Sequence, residues 1–130
     1  MWYSFSEHKK DSWGYHLMID ASGCNDNIKE KQKIIKFVEE LVPAIDMIAV
    51  GEPMIKYFPD NGKNKGYSMT QFIETSDITC HFIENDKSLY LDVFSCKDFD
   101  ISTVVKILKK YFAPKHIKKH FLYRDALENK

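Results

Sequence analysis

The chain has 130 residues, the size of one domain, and no linker, internal repeat or low-complexity tract divides it. It is 44% hydrophobic, with nine Phe, seven Tyr and two Trp, so it has the material for a packed core and is not a disordered chain. Nineteen basic residues balance nineteen acidic ones, which leaves no electrostatic case for nucleic acid or a membrane surface as partner.

Residues 1–12 read as a polar and aromatic extension. The opening MWYSFSEHKK lacks the apolar core of a signal peptide. No apolar run in the chain approaches the ~18 residues of a membrane span, so a cytoplasmic protein is expected. Trp13–Ala21 is dense in β-formers and reads as a first strand. Ser22-Gly23-Cys24-Asn25-Asp26 is a turn in which Asn25 or Asp26 can cap the first helix. From Ile28 to Val42 the apolar residues at 28, 34, 35, 38, 41 and 42 keep helical spacing, and Pro43 is expected to end the helix. Asp46–Gly51 and Met54–Phe58 read as short strands, or as one strand broken at Pro53. Pro59–Gly66 is a loop, and Tyr67–Ile73 is a strand.

Two further β-like runs, Ile78–Ile83 and Leu89–Val93, surround the polar turn Glu84-Asn85-Asp86-Lys87. After Cys96, Asp100 is a good N-cap for a helix with an apolar stripe at Ile101, Val104, Val105, Leu108 and Phe112, and Pro114 stops it. Ile117, Phe121 and Tyr123 then mark a last strand over Lys115–Arg124. The order is β-α-β-β-β-β-α-β. Two helices on one face of a mostly antiparallel sheet make a two-layer α+β sandwich in a single domain over residues 1–130.

The central hairpin can be given a register. With Asn85-Asp86 as a two-residue turn, Phe82 faces Leu89, Cys80 faces Leu91 and Ile78 faces Val93. These apolar pairs share the core face. The other face carries Thr75 opposite Cys96, Asp77 opposite Phe94, Thr79 opposite Asp92 and His81 opposite Tyr90. Ser68 is the second residue of the strand that leads in. From Thr75 to His81 is six residues, or roughly 20 Å at ~3.3 Å per residue. His81 and Cys96 of one chain therefore cannot act on one bond, whereas a two-fold dimer supplies a second copy of each. This uncovered face needs a ligand or a partner sheet.

Three cysteines, Cys24, Cys80 and Cys96, are an odd number with no C-x-x-C pair, which argues against a disulfide framework or a metal site. Cys24 and Cys80 read as buried hydrophobes. His16, His116 and His120 read as surface histidines, and the sequence names no partner for them.

Ser68, Ser76 eight residues on, His81 five further and Cys96 fifteen further carry a resemblance. With the runs S-D-I-T-C-H and L-D-V-F-S-C around them, the chain from about Gly14 to Leu122 resembles the small prokaryotic-type S-adenosylmethionine decarboxylases of bacteria and their phages. The resemblance implies an inactive proenzyme. The Ser76 hydroxyl would attack the Thr75 carbonyl, Ser68 would stabilise the oxyanion, and His81 would be the acid/base of processing. Cleavage between Thr75 and Ser76 would leave a β-chain, 1–75, and an α-chain, 76–130. The α-chain would begin with a covalent pyruvoyl group made from Ser76, a ketone that binds the substrate amine as a Schiff base and acts as an electron sink. Cys96 would return a proton to the α-carbon, and Phe58 matches an aromatic that stacks on adenine. Taken as a residue alone, Phe58 could equally complete the core.

The glutamate that holds the ribose hydroxyls in relatives falls at Asn85, with Glu84 one position earlier, and Thr75 stands where many relatives have Glu. The implied partners are S-adenosylmethionine and a second copy of the chain, in a homodimer with shared sites. The product would be the aminopropyl donor for spermidine synthesis. The alternatives from the sequence are a pyruvoyl decarboxylase of arginine or ornithine on the same scaffold, and a non-processing nucleoside-binding or regulatory relative.

Overall fold

A computed structural model describes residues 11–127, so most of the expected N-terminal extension lies outside the described residues. The six strands are β1 (Gly14–Ser22), β2 (Ala49–Phe58), β3 (Gly66–Ile73), β4 (Ser76–Ile83), β5 (Ser88–Ser95) and β6 (His116–Arg124), with helices α1 (Lys31–Ala44) and α2 (Ile101–Phe112). They form one antiparallel sheet in the order β2-β3-β4-β5-β1-β6. This is the expected β-α-β-β-β-β-α-β sandwich. Among the described residues no helix is long and apolar enough to cross a membrane.

Alternation in the strands explains why only one face is covered. Leu17, Ile19 and Ala21 of β1, Ile78, Cys80 and Phe82 of β4, and Leu89, Leu91 and Val93 of β5 are all buried and belong to one core cluster. The helices close that core with Ile34, Phe37, Val38 and Leu41 of α1 and Val104, Ile107, Leu108 and Phe112 of α2. Phe112 is the hub. Its ring lies 5.0 Å from that of Phe37 and 5.2 Å from that of Phe82, joining both helices to the central hairpin. Truncating so enclosed an aromatic costs about 3–5 kcal/mol.

Local signals set the ends. Asp100 caps α2 by accepting from the Ser102 N–H, and Asn25 accepts from the Asn27 N–H at the head of a 3-10 turn over Asp26–Lys29. Pro43 does not end α1, as expected from the sequence, but sits inside its last turn, one residue before Ala44. There it removes the N–H that would bond the Glu39 carbonyl, and the helix stops one residue later. Asp46–Gly51 and Met54–Phe58 are one strand, β2, with its register shifted between Val50 and Met54 to pass Gly51-Glu52-Pro53.

Candidate active site

The hairpin register is as expected. Ile78 pairs with Val93, Thr79 with Asp92, Cys80 with Leu91, His81 with Tyr90 and Phe82 with Leu89. Through β3, Ser68 pairs with His81. The face away from the helices is therefore a grid. One row holds Phe72, Asp77, Phe94 and His16. Another holds Thr70, Thr79, Asp92 and Met18, and a third Ser68, His81, Tyr90 and Asp20. Val50, Met54, Phe58, Phe72 and Tyr90 stand exposed on it, more apolar surface than a sheet face in water ordinarily keeps.

Two clusters of predicted residues lie at opposite ends of β4, the first on this face and the second at the turn that begins the strand. At that turn the Thr75 side chain is directed to buried Ser95 and Met47 rather than to the open face expected for it. At the first, Ser68 Oγ and His81 Nδ1 are 2.9 Å apart and share a hydrogen bond whose direction depends on the ring's tautomer. Both groups are half or fully open to solvent. Phe58 is nearby on β2, opposite Gly66 and two residues beyond Lys56, which faces Ser68. Phe58 is 44% exposed, which removes the reading of it as a core residue. Opposite it only glycine fits, since at φ +150° a Cβ on Gly66 would run into the Phe82 carbonyl oxygen.

At the second, the chain turns through Glu74-Thr75 between β3 and β4, with Ile73 paired to Ser76 and Ser76 to Ser95. The Thr75 carbonyl oxygen accepts from the Cys96 N–H at 2.9 Å, so Cys96 does lie beside the Thr75-Ser76 bond. Its thiol is exposed, whereas Cys24 and Cys80 are buried. Burial pushes the Cys24 thiol up to about 11 and holds Cys80 well above its ordinary value. Beside this end, Trp13, Phe94, Arg124, Asp125 and Leu127 line an open cavity of about 580 Å³, with the Arg124 guanidinium 4.6 Å above the Phe94 ring.

The two clusters do not meet within one chain. Five to six residues of straight strand separate Ser76 and Thr75 from His81, or roughly 16–20 Å. Glu84 joins neither. Its carboxylate lies 3.9 Å from Lys65 Nζ and near the Tyr57 hydroxyl, which burial and this carboxylate together push above its ordinary value. Tyr57 pairs with Tyr67, which packs against the core, so Glu84 is held on the helix side of the sheet.

Several contacts here have no counterpart in the sequence reading. His16 is half-buried and donates from Nε2 to Asp92 Oδ1 at 2.9 Å, correcting its reading as an unpartnered surface residue. His120 lies 3.7 Å from Asp20. Ser95 is completely buried and donates to Thr75 Oγ1 at 2.7 Å. A signal for Ser95 was present, because it comes after Leu89, Leu91 and Val93 as the fourth residue of a core-facing series and alone is polar.

The family model described as S-adenosylmethionine decarboxylase matches residues 15–125. The chain belongs to the S-adenosylmethionine decarboxylase family. A protein of Clostridium botulinum strain Langeland, named S-adenosylmethionine decarboxylase proenzyme, is 32% identical over 117 residues, covering 88% of this chain and 97% of its own length. A protein of the same name from strain Loch Maree is 33% identical over 99 residues, 75% of this chain and 81% of the relative. The crystal structure of the adenosylmethionine decarboxylase from Aquifex aeolicus superposes with a TM-score of 0.75 at 20% identity, over 93% of this chain and 98% of that one. At that identity the superposition speaks for the fold, and it is the same α+β sandwich.

Proposed function

We propose that this member of the family is made as a proenzyme, cuts itself between Thr75 and Ser76, and then removes the carboxyl group of S-adenosylmethionine as CO₂. The observation that carries the reading is the presence of two half-sites at opposite ends of β4. One end presents the Ser68–His81 hydrogen bond, and the other presents the Thr75 carbonyl on the Cys96 amide. The relatives' shared name, proenzyme included, supports the same activity. It gives no support to the arginine, ornithine or non-processing alternatives.

In this reading Ser76 and Cys96 come from one protomer, and Ser68 and His81 from its partner. Packing the uncovered faces about a two-fold axis that runs across the strands would reverse strand direction. That lays one protomer's Ser68–His81 row over the other's Thr75–Ser76 turn. The exposed Val50, Met54, Phe72 and Tyr90 suit such a contact.

The chemistry assigned to the chain's own groups is limited. Ser76 attacks the carbonyl beside it, and His81 moves the proton between the hydroxyl and the leaving amine. Ser68, already bonded to His81, orients that ring or donates to the oxyanion. Residue 76 fits the origin of a pyruvoyl group, because its serine is half-buried at a strand start with its carbonyl neighbour already hydrogen-bonded. Such a group supplies an electrophilic ketone and an electron sink for the carbanion left by CO₂. Cys96, exposed beside that position, delivers the proton that completes the product.

Phe58 of the partner offers its exposed ring to the adenine, and an aromatic face also attracts a sulfonium. To hold the ribose hydroxyls, Glu84 would exchange its Tyr57 and Lys65 partners for them. The product serves as an aminopropyl donor for spermidine synthesis, and a small water-soluble substrate fits a cytoplasmic enzyme.

An intact mass of freshly purified protein tests the proposal. Two chains, one ending at Thr75 and one beginning with a pyruvoyl group at residue 76, are expected. A folded chain that stays whole overturns it.

A further inference from the structure

The turn that carries the Thr75-Ser76 bond is fastened more thoroughly than a hairpin turn requires. The Glu74 N–H donates to the Ile48 carbonyl at 2.9 Å, and the Cys96 N–H donates to the Thr75 carbonyl at 2.9 Å. The Thr75 side chain is held as well. The Lys97 N–H donates to Ser95 Oγ at 2.9 Å, Ser95 Oγ donates to Thr75 Oγ1 at 2.7 Å, and Thr75 Oγ1 donates to Met47 Sδ at 3.2 Å. Met47 Sδ also lies 3.8 Å from Ser95 Oγ, so both hydroxyl protons have an acceptor whichever way the Ser95–Thr75 bond points.

Ser95 has 0% exposure, at a position whose predecessors on that face are Leu89, Leu91 and Val93. A hydroxyl there would be costly without its bonds, and an apolar residue would fill the place as well for packing alone. The backbone points the same way. Two-residue hairpin turns favour positive φ inside the turn, but Glu74 and Thr75 have none. The departure falls instead on Ser76, with φ +157°, where residues other than glycine are rarely found.

We propose that Ser95 and Thr75 form a hydroxyl clamp that presents the Thr75 carbonyl for cleavage, with the Cys96 N–H as an oxyanion donor supplied by the same chain. This rests on the reading that the chain cuts itself at Thr75-Ser76. In the first step Ser76 Oγ bonds to the Thr75 carbonyl carbon, and the Thr75-Ser76 C–N bond breaks. The hydroxyl proton passes to the freed amine, leaving an ester. The step is an isomerisation and needs no further reactant. The Thr75 oxygen gathers negative charge midway, and the Cys96 N–H is bonded to it before the reaction starts, as an oxyanion donor must be. Ser95 touches neither reacting atom. It is a positioning residue, acting through Thr75.

The test is the cleavage rate of Ser95→Ala beside the wild type and Ser95→Thr, tracked by intact mass from the time of synthesis, with and without hydroxylamine, and with thermal midpoints recorded. Hydroxylamine cuts an ester at this bond but leaves an amide. Misplacement of a reacting group by about an ångström costs on the order of 100-fold, so Ser95→Ala is expected to cleave about 10- to 100-fold more slowly. Hydroxylamine should not restore its rate, because the ester itself forms slowly, whereas Ser95→Thr should recover most of it. A purely structural role would lower the thermal midpoint and leave the ester step alone. Ser95→Ala cleaving at the wild-type rate, or fully rescued by hydroxylamine, overturns the clamp. A wild-type chain that stays whole overturns the self-cleavage reading and the clamp together, and is told apart from the first result by the wild type itself.

Discussion

Mixing two inactive chains tests the shared site most directly. Ser76→Ala removes the nucleophile from one end of the uncovered face, and His81→Ala removes the acid/base from the other. Within a protomer these residues are five positions apart on β4, roughly 16 Å. If each site takes Ser76 from one chain and His81 from the other, neither variant alone can cut itself. When equal amounts assemble at random, about half of the dimers contain one chain of each kind. Each such dimer has one site with both groups intact and one with neither. The single whole site cuts the His81→Ala chain, which still carries Ser76. About half of those chains, or about a quarter of all chains, should therefore be cleaved, with decarboxylation near a quarter of wild type. The assay is co-expression of the two variants with different tags, intact mass for cleavage, native mass for the mixed dimer, and CO₂ release for activity. Mixed dimers that form but leave the His81→Ala chain whole would refute the shared-site reasoning. So would a His81→Ala chain that cuts itself unaided at the wild-type rate.

Other consequences are separable from that one. Phe58→Ala should raise KM for S-adenosylmethionine about 10-fold, the worth of one lost stacking contact, and barely move the melting midpoint because the ring is 44% exposed; steady-state kinetics and thermal unfolding check both. At pH 8 iodoacetamide should label Cys96 in the native protein and reach Cys24 and Cys80 only after unfolding, since burial raises both of the latter thiols; peptide mass mapping reads the order. Asp100→Ala should cost about 1 kcal/mol through the lost cap of α2. The Asp100 carboxyl is held below its ordinary 3.8, chiefly by the Ser102 hydroxyl, so its stabilisation is present above that pH and fades as pH falls through the lowered value. The urea-unfolding difference between wild type and variant should therefore be largest at pH 7 and shrink as pH falls below 3.8.

What the sequence made legible and what it hid divide along physical lines. The β4–β5 register could be read because Ile78, Cys80 and Phe82 face Leu89, Leu91 and Val93 across a short turn. A slip of one residue would turn one strand's three apolar side chains into water. The same pairing placed Cys96 beside Thr75, which the Cys96 N–H to Thr75 carbonyl bond bears out. Contacts between strands distant in sequence were not legible. His16 meets Asp92 only because β1 inserts between β5 and β6, an order that no local pattern states. Glu84 was harder still. A residue in a turn has no period-two face, and its partners Tyr57 and Lys65 belong to the loop and edge strand before Ser68. Phe37 and Ile107 were left out of the helix stripes although both fall on the buried faces of their helices.

The separation of the two clusters is a consequence of the sheet itself. Ser68 and His81 are paired across β3 and β4, so their side chains can meet in one protomer whatever its neighbours do. Thr75, Ser95 and Cys96 are likewise fixed by the β4–β5 ladder. A sheet twists and bends across its strands, but a strand already extended at ~3.3 Å per residue does not shorten along its length. No rotamer of His81 spans five residues of strand, and the hydrogen-bonded ladders on both sides of β4 forbid sliding one cluster toward the other without exposing the Ile78, Cys80 and Phe82 side chains. An acid/base at one end and a scissile bond at the other can share a reaction when a second sheet is laid face to face and reversed. The uncovered face, with Val50, Met54, Phe72 and Tyr90 standing in water, is the surface on which that second sheet would lie.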